Sequence, residues 1–420
     1  MRAFAYVIAL FSSLLLLDPK IGLWRGLLWI PKLLMAALAP ITAVLGGVSI
    51  ISGILRRDKW TIAAGVWGTA VTLLHIRQVT APRDDAFARA FGPDWENHIP
   101  PDLRRQLTPT RWQIPGRDPG PGSIQCDVIY GANIDTQAEL PADILLPPEG
   151  VPHTGLALLF VHGGAWLYGQ KNIQKYPLFN ILSQQGHVIM DINYTLAPET
   201  SIMGMVSDVQ QAVIWLKQHA GKYGIRPDRI VMTGQSAGGH LSLLTAYSAR
   251  DPAMKALNPH GDVSVRGVIS LYGPTDMITM YEQMEARFGP YANKRVSLEL
   301  QNLLESRGYK GKALVEGLPG FMGGTPAELP EIYRLVSPMY YAGPHCPPTL
   351  LVHGAHDFLV DYHYSEQLYN ALRLAGVPAV FVTMPGCDHT FEAVFPRISP
   401  SAQTAAYYIE RFLALMVSYL

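Results

Sequence analysis

Hydrophobic positions along this chain fall into two regimes. Up to residue 76 they form long runs with few charges, and beyond residue 122 they come in short bursts separated by polar stretches. The early runs are 3–17 (AFAYVIALFSSLLLL), 33–55 (LLMAALAPITAVLGGVSIISGIL) and 60–76 (WTIAAGVWGTAVTLLHI). A bilayer core of about 30 Å takes about 20 helical residues. The second run is long enough for that, and the third sits at the short limit. The charged link from Arg56 to Lys59 lies between them. A tight polar turn between two apolar helices predicts a transmembrane hairpin. The alternative is a buried helical hairpin in a soluble domain, although soluble helices usually keep a polar face. The first run resembles a signal peptide in its short apolar core, but Asp18-Pro19-Lys20 comes after it rather than a small-residue cleavage site. An uncleaved helix, spanning or interfacial, is the expectation. The outer flanks of the hairpin carry Lys20, Arg25, Lys32, Arg77, Arg83 and Arg89, against Arg56, Arg57 and Lys59 at the tip. That excess favours a cytoplasmic location for the globular region beyond residue 76.

Residues 77–122 are polar and proline-rich and read as a juxtamembrane connector with a short helix near 84–91. From Ser123 onward the pattern alternates. Strand-like runs are 123–130, 141–146, 156–161, 187–194, 229–233, 266–272, 348–353 and 378–384; helix-like runs are 172–184, 204–223, 237–249, 362–375 and 402–418. Short, continuous apolar strands suit a sheet covered on both faces. Their alternation with helices predicts an α/β class, a mostly parallel sheet of about eight strands with an antiparallel start. The organisation read from the sequence is therefore 1–76 membrane-anchoring helices, 77–122 connector and 123–420 catalytic domain. One segment breaks the rhythm: 277–325, with a helical stretch at 294–306 and many Met, Tyr and Phe residues. A long insertion at the carboxyl end of a strand is where caps and substrate pockets are built. Plain packing on the sheet is the other reading.

Composition narrows the chemistry. Lysines plus arginines equal aspartates plus glutamates at 33 each, so nothing points to nucleic acid. The three cysteines, Cys126, Cys346 and Cys387, are far apart and odd in number, and offer neither a disulfide framework nor a zinc spacing. No metal or organic cofactor is expected.

Four short motifs carry the chemistry. Gly234-Gln235-Ser236-Ala237-Gly238 succeeds an apolar strand and opens a helix, the setting of a nucleophile elbow. His162-Gly163-Gly164-Ala165-Trp166 ends an earlier strand; the backbone N–H groups of Gly163 and Gly164, with that of Ala237, are candidates for an oxyanion hole. Asp357 lies just past the strand at 348–353, and His389 just past the last strand. Ser236, Asp357, His389 is the chain order of a nucleophile, acid and base in an α/β-hydrolase. Asp361 is a competing acid one helical turn later. Asp388 would point away from its neighbour His389, and His240, His353 and His356 read as structural. Trp166, Gln235 and Phe358 are the candidates for substrate contact.

With these residues in place the chain resembles the hormone-sensitive-lipase-like branch of the α/β-hydrolase superfamily over roughly 123–420. Besides HGGAW and GQSAGG, NYTLAPE (193–199) and FMGGTPAELPEIYRLVSP (321–338) resemble that group's segments. Gln235 stands where the group commonly has an acidic residue, and Asn193 and Thr195 where it usually has Asp and Arg. HGGAW with GQSAGGH is closer to isoprenylcysteine methylesterase and arylformamidase-like members. The resemblance implies a membrane-anchored serine hydrolase acting on carboxylic esters. The apolar N-terminus and insertion add a lipophilic substrate held near the lipid bilayer. The same residues could serve an arylformamidase-type amidase, and a catalytically inactive scaffold is a further class. Oligomeric state is open.

Overall fold

The computed structural model describes residues 2–18, 22–172, 176–292 and 318–419. Eight strands form one sheet in the order β1-β2-β4-β3-β5-β6-β7-β8. They are β1 Ser123–Ala132, β2 Glu139–Leu146, β3 Ala157–Val161, β4 Val188–Ile192, β5 Ile230–Gln235, β6 Gly267–Leu271, β7 Thr349–Gly354 and β8 Ala379–Met384. β2 runs antiparallel to both β1 and β4, and all later pairings are parallel. Every residue of β3, β4, β5, β6 and β7 is buried. That is why these strands read as unbroken apolar runs: helices cover both faces.

All eight strand-like runs of the sequence are strands, and the mostly parallel sheet with an antiparallel start expected from them is present. The helices about the sheet include Pro177–Gln184, Ile202–Gln218, Ala237–Tyr247, His363–Leu374 and Pro400–Met416. The expected helical stretch at 294–306 lies outside the described residues. Met277, Met280, Phe321 and Met322, from the two described ends of the insertion, are buried in the main core.

The N-terminal region differs from expectation. It contains α1 (Arg2–Ser13), α2 (Gly22–Ala37), α3 (Ala39–Leu55) and α4 (Lys59–Thr80). The run 33–55 is not one helix: Leu28–Ala37 and Ala39–Leu55 meet at a bend of 78°. Pro40 in the first turn of α3 explains the break, because proline has no N–H and its ring collides with the carbonyl of residue i−4. Among the described residues no single helix is long and apolar enough to cross a membrane. The antiparallel pair α3 and α4 does form. Asp58 caps the start of α4, accepting from the N–H of Trp60 at 3.1 Å, and also takes Arg2 Nε at 2.8 Å. The seam between the helices is made of small residues. A Cβ on Gly65 would lie 2.9 Å from the backbone of Gly46 and Ile50, and one on Gly68 would lie 2.7 Å from Ile8 of α1. Small residues let helix backbones approach this closely, and the larger side chains are left on the outside.

The connector is bound along its length to the α/β domain. Its short helix, α5, spans Asp84–Phe91 as anticipated. The Arg83 N–H donates to Tyr408 Oη at 3.0 Å and the Trp112 indole to the Ile398 carbonyl at 3.0 Å. Buried Glu410 accepts from Thr108 N–H, Thr108 Oγ1 and Gln185 Nε2.

Candidate active site

Parallel pairing aligns the carboxyl ends of the central strands. Val161 of β3 pairs with Gly234 of β5, Gln235 of β5 with Leu271 of β6, and Gly354 of β7 with Met384 of β8. The four motifs of the sequence therefore emerge at one rim, where parallel sheets bind their ligands. Ser236 sits between β5 and the helix Ala237–Tyr247 with φ 52° and ψ −119°. A non-glycine residue there is strained, and such strain concentrates at functional sites. The flanking glycines make the turn possible: a Cβ on Gly234 would fall 2.3 Å from the Gly238 backbone, and one on Gly238 2.0 Å from the Val161 carbonyl.

The imidazole of His389 lies between the other two residues. Its Nε2 is 3.0 Å from Ser236 Oγ and its Nδ1 is 2.7 Å from Asp357 Oδ2. Asp357 Oδ1 accepts from the N–H groups of Leu359 and Val360, both at 2.9 Å. Burial alone would raise the Asp357 carboxyl; His389 and His353 outweigh it and hold it well below the usual carboxylate range. His389 is displaced the other way. Burial lowers it, but Asp357, then Glu392 and Asp388, raise it above its ordinary value.

The candidate oxyanion donors adjoin the serine. Gly163 is close enough that a Cβ on it would lie 3.4 Å from Ser236 Cβ. Gly164 has φ 126°, where a side chain would collide with the Tyr168 carbonyl. Ala237 opens its helix, where an N–H has no intrahelical acceptor. The three nominated substrate contacts are all engaged inside the protein. Trp166 is buried, donates to His240 Nδ1 at 3.3 Å and packs on Phe321. Gln235 donates to Glu392 Oε1 at 2.6 Å and accepts from Tyr176 Oη. Phe358 is buried against Trp29, with ring centroids 5.0 Å apart. His240 Nε2 is 2.7 Å from the Val336 carbonyl, and His353 lies between Ser365 Oγ and the Val360 carbonyl. His240 is thus held by backbone and Trp166, whereas His353 Nε2 also lies 3.3 Å from Asp357 Oδ2 and so touches the acid itself. The Asp388 carboxylate is turned to backbone N–H groups and to Lys32 rather than to the His389 ring, as expected.

Sequence reasoning missed several neighbours of the imidazole. The ring of Tyr272 is 4.4 Å from that of His389, and its hydroxyl donates to Glu392. Glu392 lies three residues beyond the histidine in the sequence, which was the available signal. From α2, the Trp29 indole donates to the His389 carbonyl at 3.1 Å. Lys32, a membrane-flank charge by its place in the sequence, is 2% exposed and lies 3.8 Å from Asp388 Oδ2. It cannot report on orientation in a bilayer.

A strand order with an antiparallel start, a strained serine after β5, and an acid and base after β7 and β8 together define an α/β-hydrolase. Within that class the chain belongs to the BD-FAE family, whose profile matches residues 142–372. Esterase LipC of Mycobacterium tuberculosis is 29% identical over 68% of this chain, which spans 64% of that relative. The probable carboxylic ester hydrolase LipM of the same organism is 26% identical over 90% of this chain and 83% of its own length. The probable isoprenylcysteine α-carbonyl methylesterase ICMEL1 of Arabidopsis thaliana is 26% identical over 64% of this chain and 51% of its own. Among solved structures, a truncated carbohydrate esterase from gut microbiota shares the fold at TM-score 0.51 and 21% identity, covering 71% of this chain and all of its own.

Proposed function

We propose that this protein is a serine carboxylesterase that hydrolyses lipophilic esters through Ser236, His389 and Asp357. The observation that carries the reading is the pair of contacts made by one imidazole, 3.0 Å to the serine oxygen and 2.7 Å to the acid. His389 takes the Ser236 proton as the oxygen attacks the ester carbonyl. Asp357 fixes the ring and stabilises the imidazolium. The N–H groups of Gly163, Gly164 and Ala237 receive the oxyanion. His389 then protonates the departing alcohol, and water activated by the same ring releases the acid from the acyl-enzyme. The esterase names of the relatives support the ester over the amide bond.

As a base, His389 works only when neutral. Its raised pKa therefore puts the acid limb of kcat/KM above 6.5, with activity falling as pH drops through that point. A pH profile with p-nitrophenyl butyrate reads this. A limb well below 6.5 would assign the base elsewhere. In a panel of p-nitrophenyl esters beside a formanilide, the expected result is efficient cleavage of esters and little of the anilide. Comparable kcat/KM for the formanilide would favour the amidase.

On this proposal the N-terminal helices rest on a lipid surface. Leu10, Val44, Ile51, Leu55 and Trp60 are each more than half exposed on the outside of α1, α3 and α4. Apolar patches of this kind mark an interaction surface. An interfacial seat suits apolar helices of which, among the described residues, none alone is both long and apolar enough to cross.

A further inference from the structure

We propose that α2 supplies two positioning residues for the catalytic histidine, Lys32 acting through Asp388 and Trp29 acting on the His389 backbone. The inference rests on the hydrolase reading of Ser236, His389 and Asp357. Asp388 Oδ1 accepts two N–H groups at 2.9 Å, those of Phe358 and His389. One belongs to the residue after the catalytic acid, and the other to the base itself. The carboxylate therefore staples the loop after β7 to the loop after β8. These are the loops whose separation sets the Asp357–His389 hydrogen bond.

That staple works best as an anion, and its surroundings oppose ionisation. Asp388 is 5% exposed, and its pKa is raised to about 6, by burial first and the charge of Asp357 second, while Lys32 opposes the rise. The ammonium of Lys32 lies 3.8 Å from Asp388 Oδ2 and 2.9 Å from His356 Nδ1, which accepts from it. The backbone N–H of His356 in turn donates to the carbonyl of Cys387, next to Asp388. Trp29, one turn earlier on α2, bridges the same two loops: its ring packs on Phe358 and its N–H holds the His389 carbonyl. A buried lysine is costly to keep charged unless it is paired. Here its position ties the apolar N-terminal helices directly to catalytic geometry.

The test uses the full-length chain with soluble p-nitrophenyl butyrate. Lys32→Met is expected to lower kcat by about 10- to 100-fold with KM within about threefold, since misplacement of a catalytic group is felt in turnover. Lys32→Arg is expected to recover most of that loss. The deciding measurement is a double-mutant cycle. In an Asp388→Asn background the amide oxygen still accepts both N–H groups without needing a counter-charge, so Lys32→Met is expected to cost less than about threefold there. An equal loss in both backgrounds, an unchanged kcat in the single variant, or a rise confined to KM overturns the proposal. If Lys32→Met does not fold, Trp29→Phe removes the indole donor to His389 and trims the ring that packs on Phe358. It is expected to lower kcat at constant KM, and an unchanged kcat is again decisive against the idea. Failure of the hydrolase reading itself is seen separately, as turnover that survives loss of the Ser236 hydroxyl.

Discussion

Ser236→Ala is expected to lower kcat toward p-nitrophenyl butyrate by about 10⁶-fold while KM stays within a small factor. The hydroxyl oxygen is the atom that forms the new bond, and its proton is the one that His389 Nε2, 3.0 Å away, takes in the acylation step. Removing it leaves the binding surface and the Gly163, Gly164 and Ala237 donors in place. A residual rate about 10³–10⁴ above water is therefore expected from oxyanion stabilisation and binding alone. The fold should tolerate the change, because alanine occupies the same backbone conformation and the flanking glycines are untouched. Thermal melts of both proteins provide that control, and covalent labelling by a fluorophosphonate should disappear with the hydroxyl. Activity within 100-fold of wild type in homogeneous protein, against the ~10⁶-fold loss expected, would remove Ser236 from the mechanism.

The second large effect is expected from Asp357→Asn, about 10⁴-fold in kcat. Asparagine can keep the Oδ1 position and so continue to accept from Leu359 and Val360. At the Oδ2 position, 2.7 Å from His389 Nδ1, it presents an N–H₂ donor. The ring must then accept at Nδ1 and carry its proton on Nε2, facing the serine in the tautomer that cannot take a proton. The pH dependence gives a second signature. Asp357 is the leading cause that raises His389, so its neutralisation lowers that pKa and moves the acid limb of the residual activity to lower pH. A variant with full kcat, or with the limb displaced upward, would argue against this pairing.

Much of this site could be read from the chain because each piece is local. Buried parallel strands leave continuous apolar runs, and each motif lies within a few residues of the end of its own strand. Sheet order then brings Ser236, Asp357 and His389 together without further information. The residues missed are those whose role depends on distant packing. Trp29 and His389 are 360 positions apart, and Lys32 and His356 are 324 apart; nothing periodic in the sequence joins them. Lys32 is a charged side chain in nearly full burial, the case that patterning assigns to the surface. The bend at Leu38 is marked in the sequence by Pro40, a signal that counting uncharged residues over 33–55 does not use. Of the residues nominated for substrate contact, Gln235 lines a cavity beside Tyr176 and Glu392 while also bonded to both, and Phe358 packs on Trp29, a partner too distant in sequence to foresee.

The hydrogen bonds that Arg83, Thr108 and Trp112 make with the C-terminal part of the chain limit how far the active site can travel. A freely jointed spacer would let Ser236 sample a volume that grows with spacer length. Fastened this way, residues 77–122 act instead as a bracket, and the serine keeps one height above whatever plane the outer apolar helices occupy. On the proposed lipid surface, selectivity among esters would then be measured against a fixed ruler: how far the scissile carbonyl must rise out of that plane to meet the nucleophile.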